Sequence, residues 1–326
     1  MENKKPIYHA KILLFGEYSV ITKSMAITIP YGHFHGELNF LHEDKYTDLE
    51  QAYWSNAQLN QLLVYLQKLS RQDQLQADME LQRLAEDISK GLYFESTIPQ
   101  GYGIGSSGAL VAAVYQRYAN PAIRFHHGME QETLNTLMRQ FAQIESFYHG
   151  TSSGIDPLNS YAKVPLLIKN MQTIQAVRIP SSKHFSKGGI FLLDTGNPGK
   201  TEPLVNAFMK SINSNTAGSI DKTELNRIVN AAINSLISTD TSLFFQKLKI
   251  LSAYQYHYFS AMIPRVWKGL WKQGLETGDF FLKLCGSGGG GFLLGFTDNF
   301  QKLEEVNKKA KINYIPVFSH ENKHPI

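Results

Sequence analysis

The stretch Ile98-Pro99-Gln100-Gly101-Tyr102-Gly103-Ile104-Gly105-Ser106-Ser107-Gly108-Ala109-Leu110 limits the folds open to this chain more than any other. Four glycines fall among the eight residues from Gly101 to Gly108, after a proline and ahead of a run with helical character, Ala109 to Tyr115. Glycine costs backbone entropy, so a stable domain keeps it where the chain turns sharply or where something approaches the main chain. A loop of free N–H groups running into a helix N-terminus suits an anion, because unpaired donors and helix dipole both favour negative charge. Ser106 and Ser107 add hydroxyls suited to capping, to a phosphate oxygen or to Mg²⁺. The stretch reads as a phosphate cradle. A glycine-rich turn closing on a buried helix is the plainer alternative.

Two better-known phosphate loops fit less well. A Walker A loop requires Gly-Lys followed by Ser or Thr, and this loop has no lysine. Gly103, Gly105 and Gly108 satisfy G-x-G-x-x-G, but Ala109 to Met129 contains no Asp or Glu to hold a ribose.

Composition narrows the class. With 326 residues, 43% hydrophobic and 18% charged, the chain has ample core for two domains or one large one. A net charge of +4 gives no signal for nucleic acid or an anionic membrane. The single cysteine, Cys285, excludes an intrachain disulfide and a cysteine-rich zinc site, and suits a reducing cytoplasm. No apolar segment follows Met-Glu-Asn-Lys-Lys-Pro, so no secretory signal is expected. Nor does any apolar run approach the roughly 18 residues of a membrane span. The expectation is a soluble cytoplasmic protein.

Periodicity predicts strands at Ile12–Phe15, Ala26–Ile29 and Phe34–Phe40, with Pro30-Tyr31-Gly32 separating the last two. Helices are expected over Leu49–Leu69 and Ala77–Leu92, then a strand at Leu92–Thr97 leading into the glycine loop. Two helices follow, Gly108–Tyr118 and Gln131 to about Tyr148. His149 to Pro157 is small, polar and turn-rich, an odd composition for a mere connection. A strand is expected at Val164–Ile168 and a domain change between Asn170 and Gly189, giving domains 1–178 and 179–326. The second half reads as a strand at Ile190–Asp194, a helix at Glu202–Ile212, and two or three helices within Lys222–Lys272. Strands at Phe281–Cys285 and Gly291–Phe296, a helix at Asn299–Ala310 and a strand at Ile312–Phe318 complete it. Strands and helices without strict alternation favour an α+β fold.

Three separated segments stand out together: Ala10-Lys11-Ile12-Leu13-Leu14-Phe15-Gly16-Glu17, Pro99 to Ala109, and Lys283-Leu284-Cys285-Gly286-Ser287-Gly288-Gly289-Gly290-Gly291. In these, and in their order along nearly the whole chain, the sequence resembles the GHMP small-molecule kinases, most closely the mevalonate kinases. A finer likeness lies in Glu145, His149-Gly150 and Ser153-Gly154-Ile155-Asp156, where the aspartate follows the glutamate by eleven residues, as in those kinases.

The resemblance implies a two-domain α+β fold, with a ribosomal-S5-like N-terminal and a ferredoxin-like C-terminal domain. It implies ATP and Mg²⁺ as cofactors and a small hydroxy acid, mevalonate first, as acceptor in isoprenoid precursor biosynthesis. Asp156 would be the catalytic carboxylate and Lys11 its charged partner. Gly101, Gly103, Gly105, Ser106, Ser107 and Gly108 would hold the nucleotide, and Ser107 and Glu145 the metal. Glu17, Tyr18, Thr201 and Gly288 would lie toward the acceptor. No nucleic acid or membrane partner is implied, and a homodimer is allowed but not required. Phosphomevalonate kinase, another GHMP kinase, a decarboxylase of the superfamily and a non-catalytic nucleotide-binding regulator are the alternatives. Tyr18 stands where mevalonate kinases have histidine, and Gly108 where they have alanine.

The physical case is independent of the likeness. Phosphoryl transfer to an alcohol is mainly positioning and charge neutralisation, so it needs a phosphate cradle, a metal and a place for the alcohol. Mg²⁺ prefers oxygen ligands, which one hydroxyl and one carboxylate supply. Taken singly, the residues have ordinary readings. Lys11 suits a surface position, Glu145 a solvated helix face paired with His149, Asp156-Pro157 a turn, and the last glycine run close backbone packing.

Overall fold

The computed structural model describes residues 5–42, 48–170, 173–180, 185, 187–199, 201–214, 218–310 and 313–319. It is an α+β structure of two compact units built from interleaved segments. The first takes the chain up to Lys11, then Pro30–Pro99 and Gly105–Val164; the second takes Ile12–Ile29, Gln100–Ile104 and Pro165–Ile326.

In the first unit, strand β1 (Tyr8–Phe15) contributes its opening residues and β2 (Ala26–Phe40) its latter part. Strand β3 (Leu92–Ser96) runs antiparallel to β2, with Gly36 opposite Ser96 and Phe40 opposite Leu92. Five helices accompany these strands: α1 (Leu49–Arg71), α2 (Leu81–Ser89), α3 (Ser106–Tyr118), α4 (Gln131–His149) and α5 (Ile155–Ala162). Asp48 starts α1 by accepting from the N–H groups of Glu50 and Gln51. Leu59, Leu62, Leu63 and Leu66 of α1 and Leu137, Phe141 and Ile144 of α4 form apolar stripes at helical spacing, and all are buried. Small residues let α5 come close. A Cβ on Gly154 would lie 2.2 Å from the Met138 carbonyl oxygen of α4, and one on Gly108 would lie 2.8 Å from the Asp156 carbonyl carbon.

In the second unit, one sheet has the order β1-β2-β4-β5, with β4 (Leu166–Asn170) pairing Ala26–Thr28 of β2 and β5 (Thr173–Ala176) at its edge. The other is antiparallel, in the order β7-β8-β6-β9: β6 (Gly189–Asp194), β7 (Phe281–Leu284), β8 (Phe292–Thr297) and β9 (Tyr314–Ser319). Helices α6 (Thr201–Ile212), α7 (Lys222–Ile237), α8 (Thr241–Tyr258), α9 (Lys268–Thr277) and α10 (Phe300–Ala310) complete the unit. Phe15 stacks on Phe296 at 5.8 Å and meets Phe244 edge-on at 6.1 Å, which anchors β1 to the second sheet and α8. Among the described residues, no helix is long and apolar enough to cross a membrane.

The structure departs from the sequence reading in four places. Strand β2 runs straight through Pro30-Tyr31-Gly32. Pro30 lies outside the stretches of β2 that β4 (Ala26–Thr28) and β3 (Gly36–Phe40) pair, so its missing N–H costs those two strands no bond. Helix α2 begins at Leu81 and not at Ala77. The preceding backbone is committed to the end of α3, through Glu80 N–H to Tyr118 O at 2.8 Å and Asn120 N–H to Asp78 O at 2.9 Å. The turn-rich segment after α4 contains helix α5, whose third residue is Pro157. That is a first-turn position, where the absent N–H has no intrahelical partner to lose. Strand β5 has no counterpart in the periodicity.

Candidate functional site

Strand β1 carries Lys11 into the first unit's interior, with its side chain only 7% exposed. Its ammonium lies 3.0 Å from Asp156 Oδ1. Asp156 is the second residue of α5, and its side chain keeps 35% exposure, so the carboxylate is open on one side. Gly105 caps α3 in the left-handed conformation, φ 76°. A Cβ there would meet Lys11 Cγ at 2.8 Å, so the bare backbone is what lets the lysine pass. Among the described residues, the N–H groups of Gly105, Ser106, Ser107 and Gly108 donate to no protein acceptor, as expected for the first turn of a helix. A basic group, an open carboxylate and a row of unspent donors therefore share one small region.

Ser107 and Glu145 form the other half. The Ser107 hydroxyl donates to Glu145 Oε1 at 3.0 Å and lies 2.9 Å from His149 Nε2. The Ser152 hydroxyl donates to Glu145 Oε2 at 2.5 Å. Glu145 is buried in α4. Burial, and then the charge of Asp156, push its carboxyl up to about 7 against the opposing hydrogen bonds from Ser152 and Ser107. A buried acid with a second, partly exposed acid close enough to raise it is a place for a cation beyond Lys11. A hydroxyl and a carboxylate are the oxygen donors Mg²⁺ takes, and it retains several waters of its own. The donor set fits that ion. It does not suit zinc: among the described residues, no three His, Cys, Asp or Glu side chains converge.

The remaining predicted residues belong to the second unit. Glu17 and Tyr18 are buried, 4% and 5% exposed. The Glu17 carboxylate accepts from the Lys283 ammonium, and the Tyr18 hydroxyl donates to Ser287 O at 2.5 Å. Gly101 and Gly103 stand in a loop packed against the last glycine run. A Cβ on Gly103 would lie 2.9 Å from Cys285 O, and Gly199 N–H donates to Gly101 O at 2.9 Å. Gly288 backs onto Met262 O, 2.7 Å from where its Cβ would stand. Thr201 is the first residue of α6, and its side chain lies outside the described residues.

The structure thus brings Lys11, Gly105, Ser106, Ser107, Gly108, Glu145 and Asp156 together in one unit. Sequence reasoning missed Ser152, which shares the Glu145 carboxylate with Ser107, and the role of Lys283. Each left a signal: Ser152 sits in the anomalous polar segment after α4, and Lys283 is a lone charge among apolar strand residues.

Residues 63–162 match the family model of the GHMP kinases N terminal domain, a span that includes Ser107, Glu145 and Asp156. No curated protein matches the chain. Among solved structures, the chain is similar to L. major mevalonate kinase in complex with R-mevalonate, at 18% identity and TM-score 0.61 over 97% of each chain. It is also similar to Streptococcus pneumoniae phosphomevalonate kinase in complex with phosphomevalonate and AMPPNP, at 12% identity and TM-score 0.60 over 95% of this chain and 99% of that one. Lactococcus lactis galactokinase complexed with galactose matches at 14% identity and TM-score 0.60, over 95% of this chain and 92% of the other. At these identities the likeness establishes the fold.

Proposed function

From a chain that carries the N-terminal domain of the GHMP kinases on the GHMP kinase fold, we propose a MgATP-dependent small-molecule kinase whose acceptor is the primary hydroxyl of mevalonate. The observation that carries the reading is the Lys11–Asp156 pair at 3.0 Å, beside the open first turn of α3. Asp156 receives the hydrogen bond of the acceptor hydroxyl, and Lys11, 3.0 Å away, fixes the position of its carboxylate. The free N–H groups of α3 take phosphate oxygens, with the helix dipole aligned to favour them. Ser107 and Glu145 are the residues to hold Mg²⁺, which when bound would neutralise phosphate charge. Division of the chain at 178/179 into two GHMP kinase domains, and a cytoplasmic setting, belong to the same proposal.

Tyr18 favours one second reading, a sister kinase acting on phosphomevalonate or another small hydroxy acid. It replaces the histidine of the mevalonate kinases, and its hydroxyl is engaged with Ser287. One assay separates these: ADP formation by the purified protein with MgATP and, in parallel, mevalonate, phosphomevalonate, galactose and homoserine. Turnover with mevalonate well above the others supports the first reading. Turnover with another acceptor replaces it, and ADP formation with none refutes the kinase.

A further inference from the structure

The last glycine run cannot hold its own shape. Gly286, Gly288, Gly289 and Gly291 all have left-handed φ, between 69° and 74°. A loop of this kind loses much entropy on ordering and has almost no side chains to fix it. Its conformation must be imposed from outside through the backbone. Gly289 N–H donates to Met262 O at 2.7 Å and Gly291 N–H to Asn197 O at 2.6 Å. Two further ties come from consecutive residues just after β1.

Tyr18 reaches Ser287 O with its hydroxyl, while its ring packs on Phe208 and Phe259 at 4.9 and 5.6 Å. Tyr18 itself has φ 62°, a strained conformation for a residue with a bulky side chain, so the surrounding contacts must hold it there. Glu17 meets Lys283, two residues ahead of Cys285, with side-chain exposures of 2% and 0%. The Lys283 ammonium also donates to Leu284 O at 2.6 Å and lies 5.7 Å from the Phe15 ring centroid. Every residue of β7 is buried, and Lys283 is its one charge. Burying an ion pair costs desolvation that a well-packed apolar pair of similar volume avoids, so stability alone is a weak reason to keep one.

We propose that Glu17 and Lys283 are a positioning pair that, with Tyr18, clasps the loop Cys285–Gly291 into its working shape. The kinetic consequence rests on the kinase reading above; the conformational one does not. Both side chains are buried. They act through the loop.

The test uses the full chain with Glu17→Gln, the double variant Glu17→Gln/Lys283→Met, and Tyr18→Phe. Amide hydrogen exchange of residues 284–291 and steady-state kinetics with MgATP and the acceptor found above are measured for each. The double variant removes both charges, so it should fold and melt close to the parent even if Glu17→Gln alone does not. Exchange in the loop is expected to rise in every folded variant. KM should rise more than kcat falls, for a loss in kcat/KM of about 10-fold or more, unrelieved in the double variant. A merely structural pair behaves otherwise, with stability, loop exchange and kcat/KM all returning to parental values in the double variant. That result overturns the proposal. Should the parent phosphorylate no acceptor, the kinase reading fails, and loop exchange alone decides the clasp.

Discussion

Replacing Gly108 with alanine should lower both stability and turnover, although alanine is the better helix former and the residue usual in the resembling kinases. Gly108 is the third residue of α3 and faces the start of α5. A Cβ added there would stand 2.8 Å from both the Asp156 carbonyl carbon and the Pro157 nitrogen, and 2.9 Å from Asp156 Cβ. Ordinary contact begins at 3.4 Å, so the helices must part by the difference between 3.4 and 2.8, or 0.6 Å. The obstacle is backbone, which cannot swing aside as a flexible side chain would. Overpacking of this kind costs about 1–3 kcal/mol. The gain in helix propensity offsets about 1 kcal/mol, leaving a net loss of about 0–2 kcal/mol. The same displacement moves Asp156 relative to Lys11. A shift approaching 1 Å at a reacting group can cost about 100-fold, so a fall in kcat of about 10- to 100-fold is expected, larger than the stability loss would suggest. Thermal unfolding and steady-state kinetics on the purified variant check both parts. Unchanged melting together with unchanged kcat would refute the claim that α3 and α5 are in backbone contact at this point.

Other perturbations address the remaining parts of the site. Asp156→Ala should cut kcat by about 10²–10⁴-fold while nucleotide affinity, read by equilibrium titration of AMPPNP, stays near the parent's; parental kcat would remove Asp156 from the reaction. Ser107→Ala should raise the Mg²⁺ concentration for half-maximal rate and recover partly as Mg²⁺ increases, and an unaltered Mg²⁺ titration counts against that ligand. Asp87 concerns stability. Burial alone would raise its carboxyl, but hydrogen bonds from Tyr118 at 2.8 Å and Arg117 at 2.9 Å outweigh burial and lower it. An acid lowered on folding stabilises above its unfolded value, here 3.8, and loses that contribution as pH falls through the folded value. Asp87→Asn should therefore lower the urea midpoint at neutral pH, by the equivalent of about 1–3 kcal/mol, and by less in acid once pH has fallen through the folded value. Equal losses at both pH values would show that the carboxylate's charge is not what matters.

Much of the site was legible from the chain alone, because its parts lie on local structure with fixed geometry. A helix opened by glycines and serines has free donors at its first turn wherever it sits, so the phosphate-binding reading of Gly105 to Gly108 needed no fold. Glu145 near the end of one helix and Asp156 at the start of the next are separated by a short turn, so their spacing already kept them close. Gly154 shows why: its backbone abuts the Met138 carbonyl, where no side chain fits. The secondary structure was read well where apolar periodicity was long, as in α1 and α4. It was read poorly where proline sits inside a regular element, as Pro30 does in β2 and Pro157 in the first turn of α5.

Glu17 and Tyr18 mark the limit of such reading. Their place in the motif said nothing of the partners they meet, and both are buried. Glu17 meets Lys283 across 266 residues of sequence and Tyr18 meets Ser287 across 269. Distances of that kind are set by which strands pair and which aromatic rings pack. The sequence by itself determined the chemistry available: a basic residue, two acids, a hydroxyl and a glycine-lined helix start. Only tertiary structure decided which charges face an open site and which neutralise each other in the interior, because a charge is defined by its surroundings, and those are assembled from the whole chain.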